Sequence, residues 1–169
     1  GLIIVNIHVS GDGWLHHGDL HYRCALGRGG IRAGKREGDG ATPVGQFPLR
    51  RLLYRADRLD CPAGPLPTKQ IQPGDGWCDD PGDDAYNQAV TLPHGASAET
   101  LWRDDHLYDV VVIMGHNDDP VVRGRGSAIF MHVSSPEYGP TEGCVALALP
   151  DLLAVLANLD QGSDILIEP

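Results

Sequence analysis

Glycine and proline interrupt this chain so often that little room is left for long helices. The 22 Gly and 13 Pro among 169 residues bound mostly short segments, and such punctuation goes with strands joined by turns. The fold class expected is mainly β, with one or two short helices. A chain of this length with 41% apolar residues can bury one core, and neither a repeat nor a linker divides it, so residues 1–169 are read as a single domain acting as a monomer.

The formal charge of −10 disfavours nucleic acid or an anionic lipid surface as partner. It is unevenly spread. Arg28, Arg32, Lys35, Arg36, Arg50, Arg51, Arg55 and Arg58 face only Glu37, Asp39 and Asp57 within residues 28–58. This segment is either a solvated basic face or a cationic wall for carboxylates. No run of about 18 apolar residues exists, so no membrane span is expected. The start, Leu2 to Val9, is strand-like, and no leader peptide is visible in it.

Leu2–Val9 and Asp19–Leu26 read as a hairpin around the GDGW turn. FPLRRLLYRA reads as a strand with one basic side. Asp57 to His94, rich in Pro, Gly, Asp and Asn, reads as an ordered flap anchored by Trp77 and Tyr86. Ser97 to Arg103 has a Ser cap and a following Glu and is expected to be a short helix. LYDVVVIMGHN and SAIFMHV are continuous apolar runs, read as buried strands ending near His116 and at His132. PDLLAVLANLDQG is read as a helix closed by Gly162, and DILIEP as a final strand.

The cysteines at 24, 61, 78 and 144 have no zinc-type spacing. Cys61 and Cys78 flank a Pro-rich loop whose closure by a disulfide would contribute about 3 kcal/mol, but two free thiols fit the same spacing. Cys144 follows Thr141-Glu142-Gly143, where a glycine allows a tight turn beside an anionic oxygen. A thiol needs a base nearby, and His132 ends the preceding strand. Each residue alone is most simply a buried core group; the case rests on their pairing across one turn-rich link, which two antiparallel segments would bring together.

The segment His132-Val-Ser-Ser-Pro-Glu-Tyr-Gly-Pro-Thr-Glu-Gly-Cys144-Val resembles the signature of the YkuD-type L,D-transpeptidases, and GDGATPVGQF, 38–47, is similar to their upstream TPxGxF element. With GHN and GSAIFMH between them, these anchors cover roughly residues 34–149. The resemblance implies a β-sandwich or barrel-like catalytic domain and attack by Cys144 on the L-to-D bond of a peptidoglycan stem peptide. His132 would be the base, Gly143 part of the oxyanion-binding turn, and Thr141 would hold the motif's Ser/Thr place. It implies no metal and no organic cofactor, a periplasmic location, and acylation of Cys144 by carbapenems.

Glu142 and Ala146 stand where the family commonly has His and Arg. With the short His-to-Cys interval, this looks like a divergent alpha- and betaproteobacterial subgroup that forms 1–3 links, from L-Ala to diaminopimelate. Another cation must then hold the stem carboxylates, with Arg36 the candidate; His116 and Asn117 are candidates to orient His132 or bind substrate. An L,D-endopeptidase or carboxypeptidase would use the same Cys and His. A zinc hydrolase built on His116, His132 and Cys144, and a non-catalytic wall-binding module, are the other classes.

Overall fold

The computed structural model describes residues 4–169. Strands occupy 37% of the chain and helix 6%, a single mainly β domain as the glycine and proline content predicts. The opening segment holds three strands where the sequence suggested two: β1 Ile4–Ser10, β2 Trp14–His17 and β3 Leu20–Ala25. A second tight turn, with Gly18 at φ +60, lets Trp14–His17 pair on both sides. Leu2 and Ile3, the start of the expected strand, lie outside the described residues. Two short pieces, β4 Ile31–Arg32 and β5 Thr42–Pro43, pair with each other before β6 Gly45–Tyr54.

The long excursion is ordered by strands of its own. It contains β7 Thr68–Gln70, β8 Asp75–Cys78 and β9 Ala89–Thr91 and is followed by β10 Ala98–Thr100; β10, β8 and β9 make a separate three-stranded sheet. The helix expected at Ser97–Arg103 is not formed. Ala98, Glu99 and Thr100 pair instead with Cys78, Trp77 and Gly76; two turns of isolated helix are too short to offset nucleation, and a partner strand was waiting. Cys61 is an exposed free thiol and Cys78 a buried one, so no disulfide closes the flap.

The chain then runs through β11 Val110–Met114, β12 Phe130–Val133, β13 Val145–Leu147, α1 Leu149–Ala157 and β14 Ser163–Glu168. The main sheet has the order β11-β12-β13-β3-β2-β1-β14-β6-β7, and β6 also pairs with β11. That extra pairing closes eight strands into a barrel and leaves β7 at the edge, paired with β6. The ten-residue β6 makes closure possible, its first half on β14 and its second on β11. Helix α1 begins with Pro150 and Asp151 and buries Leu152, Val155 and Leu156, each worth about 1.5–3 kcal/mol of apolar burial. It ends at Asn158; Gly162, expected to close it, sits in the following turn at φ +78.

Both faces of β11, β12 and β13 are covered, which explains why their sequences run apolar without alternation. One face, with Val110, Val112, Met131, Val133, Val145 and Leu147, joins the core shared with α1. The other, with Val111, Ile113, Phe130 and Cys144, packs against Trp77, Leu101 and Tyr108 from the flap side. The catalytic candidates lie on this second face. Among the described residues no helix is long and apolar enough to cross a membrane.

Candidate active site

Strands β12 and β13 run parallel, with His132 opposite Ala146 and Met131 opposite Val145. The sequence suggested an antiparallel pair; the link from 134 to 144 instead crosses over, long enough for a parallel return. The consequence for the site is the same. Alternation along the strands puts Cys144, Ala146, Phe130 and His132 on one face, and Cys144 and His132 line one cavity of about 490 Å³.

The Cys144 side chain is 7% exposed. Its thiol donates to the Ala128 carbonyl at 3.3 Å and accepts from the Phe130 N–H at 3.4 Å. Burial pushes it up to about 12, so the resting group is a protonated thiol. The carbonyl that receives it belongs to a residue in the left-handed region, Ala128 at φ +54, a conformation that costs a non-glycine residue on the order of 1–2 kcal/mol. Asn87 holds it there. Its Oδ1 accepts from Ala128 N–H at 3.0 Å and from the Trp77 indole at 3.0 Å, and its Nδ2 donates to the His116 and Asn117 carbonyls.

His132 is buried, and its Nδ1 lies 2.8 Å from the Val133 carbonyl. A carbonyl only accepts, so Nδ1 carries the proton and Nε2 keeps a lone pair. Burial lowers its pKa to about 4, which leaves a neutral imidazole suited to accept a proton. The ring packs edge-on against Tyr108, 5.2 Å between centroids. Among the described residues no hydrogen bond joins this ring to Sγ, so proton transfer between them would require the thiol to turn away from Ala128 toward Nε2.

The turn before the cysteine is tied by Thr141. Its hydroxyl donates to the Cys144 carbonyl at 2.7 Å and accepts from the Gly143 N–H at 3.1 Å. That N–H is thereby engaged, and Gly143 serves the turn through its backbone shape: φ is +131, and a Cβ there would stand 2.7 Å from the Ala41 carbonyl oxygen. Gly27, on the opposite side, would carry a Cβ 2.9 Å from the Gly143 Cα. The two sequence anchors therefore meet in space. Thr42 accepts the Gly27 N–H at 2.9 Å, and Thr141 bonds the backbone of Leu26 and Arg28. Glu142 points outward to Arg28, with 3.0 Å between its oxygen and Nε.

Arg36, His116 and Asn117 are not brought to the thiol. They line a different cavity of about 600 Å³. Asn117, at φ +53, uses its side chain on Val122 and Gly126 of its own loop. His116 stands edge-on to Phe47 at 5.4 Å, and burial with nearby Lys35 depresses it to about 4. The basic segment does not form one cationic wall either: Arg28, Lys35, Arg50, Arg55 and Arg58 pair with Glu142, Asp39, Asp118, Asp57 and Asp109.

The cation in the cysteine cavity is Arg103, over the Tyr108 ring at 5.2 Å and paired with Asp105. Glu99, Glu37 and Asp79 line the same space. Sequence reasoning missed Arg103 and Glu99 because it put them on a helix; the aromatic Trp77 and Tyr86 were the only local signal that the flap turns inward.

No curated protein matches the chain. A solved structure, the helical cell shape determining protein Pgp2 from Campylobacter jejuni, is similar at 15% identity and a TM-score of 0.49; the match covers 96% of this chain and 46% of that one. The chain thus spans under half of that protein's length. The YkuD family, described as the L,D-transpeptidase catalytic domain, matches residues 6–167. Covering nearly the whole chain and both motif elements that meet at the Cys144 turn, this match shows that the chain belongs to the YkuD L,D-transpeptidase family.

Proposed function

We propose that this domain is a cysteine L,D-transpeptidase that joins peptidoglycan stem peptides through an acyl-enzyme on Cys144. The observation that carries the reading is the pairing in one cavity of a thiol with a neutral imidazole whose Nδ1 is fixed by Val133 and whose Nε2 has no hydrogen-bond partner among the described residues. His132 takes the thiol proton as sulfur attacks the carbonyl, then returns it to the departing amine. Thr141 and Gly143 hold the turn on which the tetrahedral intermediate forms. Arg103 replaces the cation missing at Ala146 and binds a stem carboxylate. The bond formed runs from L-Ala of the donor to diaminopimelate, a 1–3 link, in keeping with TEGCVAL in place of the family's usual motif. The working compartment is the periplasm, where the substrate lies, and carbapenems are expected to acylate the same sulfur.

Mass spectrometry of stem peptides incubated with the wild-type chain and with Cys144→Ala tests this. Dimers formed only by the wild type, fragmenting as L-Ala–diaminopimelate links, are the expected result. Shortened stems without dimers would show a hydrolase, and no change with either protein would reject the catalytic reading.

A further inference from the structure

Four carboxylates line the Cys144 cavity, and each already has a partner. Glu37 accepts from the Tyr86 and Ser127 hydroxyls at 2.7 and 2.6 Å. Asp79 accepts from Ser97 at 2.6 Å. Glu142 is held outward by Arg28. Glu99 is different. It is half-buried on β10, its Oε1 accepts from the Tyr108 hydroxyl at 2.7 Å, and among the described residues its second oxygen has no partner. Arg103, the cation of the cavity, directs its guanidinium to Asp105. Glu99 thus keeps an oxygen without a partner, among the described residues, in the cavity it shares with Cys144 and His132.

Acyl transfer to an amine poses a proton problem that this oxygen solves. Acceptor amines reach the site as ammonium ions, since side-chain amines titrate near about 10 and α-amino groups near about 8. An ammonium has no lone pair; it must lose one proton before attacking the thioester and a second as the amide forms. We propose that Glu99 is the acceptor-side general base: its carboxylate holds the incoming ammonium and takes the first proton. The neutral amine then attacks, the C–N bond forms, the C–S bond breaks, and His132 relays the second proton to the departing sulfur of Cys144. The proton on Glu99 leaves to solvent, so the step balances without any other reactant.

The electrostatics agree with this role. Burial pushes Glu99 up to about 6, with Asp79 and Glu37 raising it further and Tyr108 and Arg103 opposing. Such a group is ionised at neutral pH and still basic enough to accept a proton. His132 and Cys144, which share the cavity with Glu99, are neutral at rest. The inference rests on the transpeptidase reading and gives it a feature a pure hydrolase would not need.

Glu99→Gln tests it, because the amide oxygen still accepts from Tyr108 while the base is lost. Acylation of Cys144 by a donor stem, followed by intact mass without acceptor, is expected within about twofold of wild type. Transfer to an amine is expected to fall by about 100-fold, the usual share of a general base, with the acyl-enzyme accumulating. A parallel fall in both steps would mean that Glu99 only positions His132 through Tyr108, and unchanged transfer would also overturn the proposal. Tyr108→Phe supplies a second measurement if the first variant folds poorly: losing a bond that favours the carboxylate should move the acid limb of the transfer rate upward, and an unmoved limb rejects the assignment. A wild type that is acylated yet never forms dimers would sink the transpeptidase reading itself, whatever Glu99 does.

Discussion

Adding a single methyl group at Gly143 should cost more than most truncations of the core. Two separate terms act there. The φ of +131 lies where side chains are rarely tolerated, and holding one there costs on the order of 1–3 kcal/mol. The new Cβ would also sit 2.7 Å from the Ala41 carbonyl and 3.1 Å from Ile129 Cδ1; the backbone cannot swing aside like a side chain, which adds roughly 1–3 kcal/mol. The sum for Gly143→Ala is about 2–6 kcal/mol, or a fall in Tm on the order of 10 °C for a chain of this size. Gly124 is the control, with φ +85 and nothing within 4 Å of its Cβ. Gly124→Ala bears only the backbone term, about 1–2 kcal/mol. Urea denaturation of both variants isolates the close approach by difference, and intact-mass acylation shows whether the turn still presents the thiol. If Gly143→Ala is no less stable than Gly124→Ala, the packing of the cysteine turn against the TPxGxF element does not constrain it and the reasoning fails.

Arg103→Ala should raise KM for carboxylate-bearing stems by about tenfold, the loss expected for a charge-assisted contact, while Arg36→Ala leaves it unchanged; steady-state kinetics on matched stems and their amides would reveal the opposite ranking. Asn87→Ala removes the partner of four groups around Ala128, and with each unpaired buried group costing about 1–3 kcal/mol it should destabilise by at least roughly 3 kcal/mol in urea; a loss under about 1 kcal/mol would show that water replaces the amide. His132 titrates near about 4 when folded against 6.5 ordinarily, so the unfolded chain takes up the proton first and stability declines as pH falls from about 6.5 to about 4, by roughly 3 kcal/mol in total. Glu99 acts in the opposite sense between about 6 and 4.5, gaining stability on acidification. The urea midpoint of His132→Gln should therefore drop less between pH 7 and pH 5 than that of wild type, and equal drops would contradict a buried neutral imidazole.

The parts of the molecule readable from sequence were those governed by local or short-range rules. Continuous apolar runs marked β11 and β12 because both of their faces are covered, and Pro150 with the spacing of Leu152, Val155 and Leu156 marked the helix. The ordered Thr-Glu-Gly-Cys and TPVGQF elements marked the turn, since only glycine fits where backbones approach this closely. What failed was long-range. The direction of β13 beside β12 depends on a crossover, and the strand at Ala98–Thr100 exists because Gly76–Cys78 lies alongside it. Arg36 lies next to the motif in sequence, but its loop divides two cavities, so Lys35 and Arg36 face one while Glu37 and Gly38 face the other. Arg103 and Glu99 enter the site only through the folding of the flap, which no local pattern encodes.

The resting bond from the Cys144 thiol to the Ala128 carbonyl bears on how long such a protein survives. Oxidants and alkylating agents react with the thiolate rather than the thiol. A thiol held protonated, 7% exposed and turned toward a carbonyl is largely invisible to them. In the proposed mechanism its reactivity appears only when a substrate carbonyl fills the cavity and draws the sulfur toward His132. Sulfur damage should therefore be concentrated in working molecules, and an idle population needs no reducing partner to remain competent.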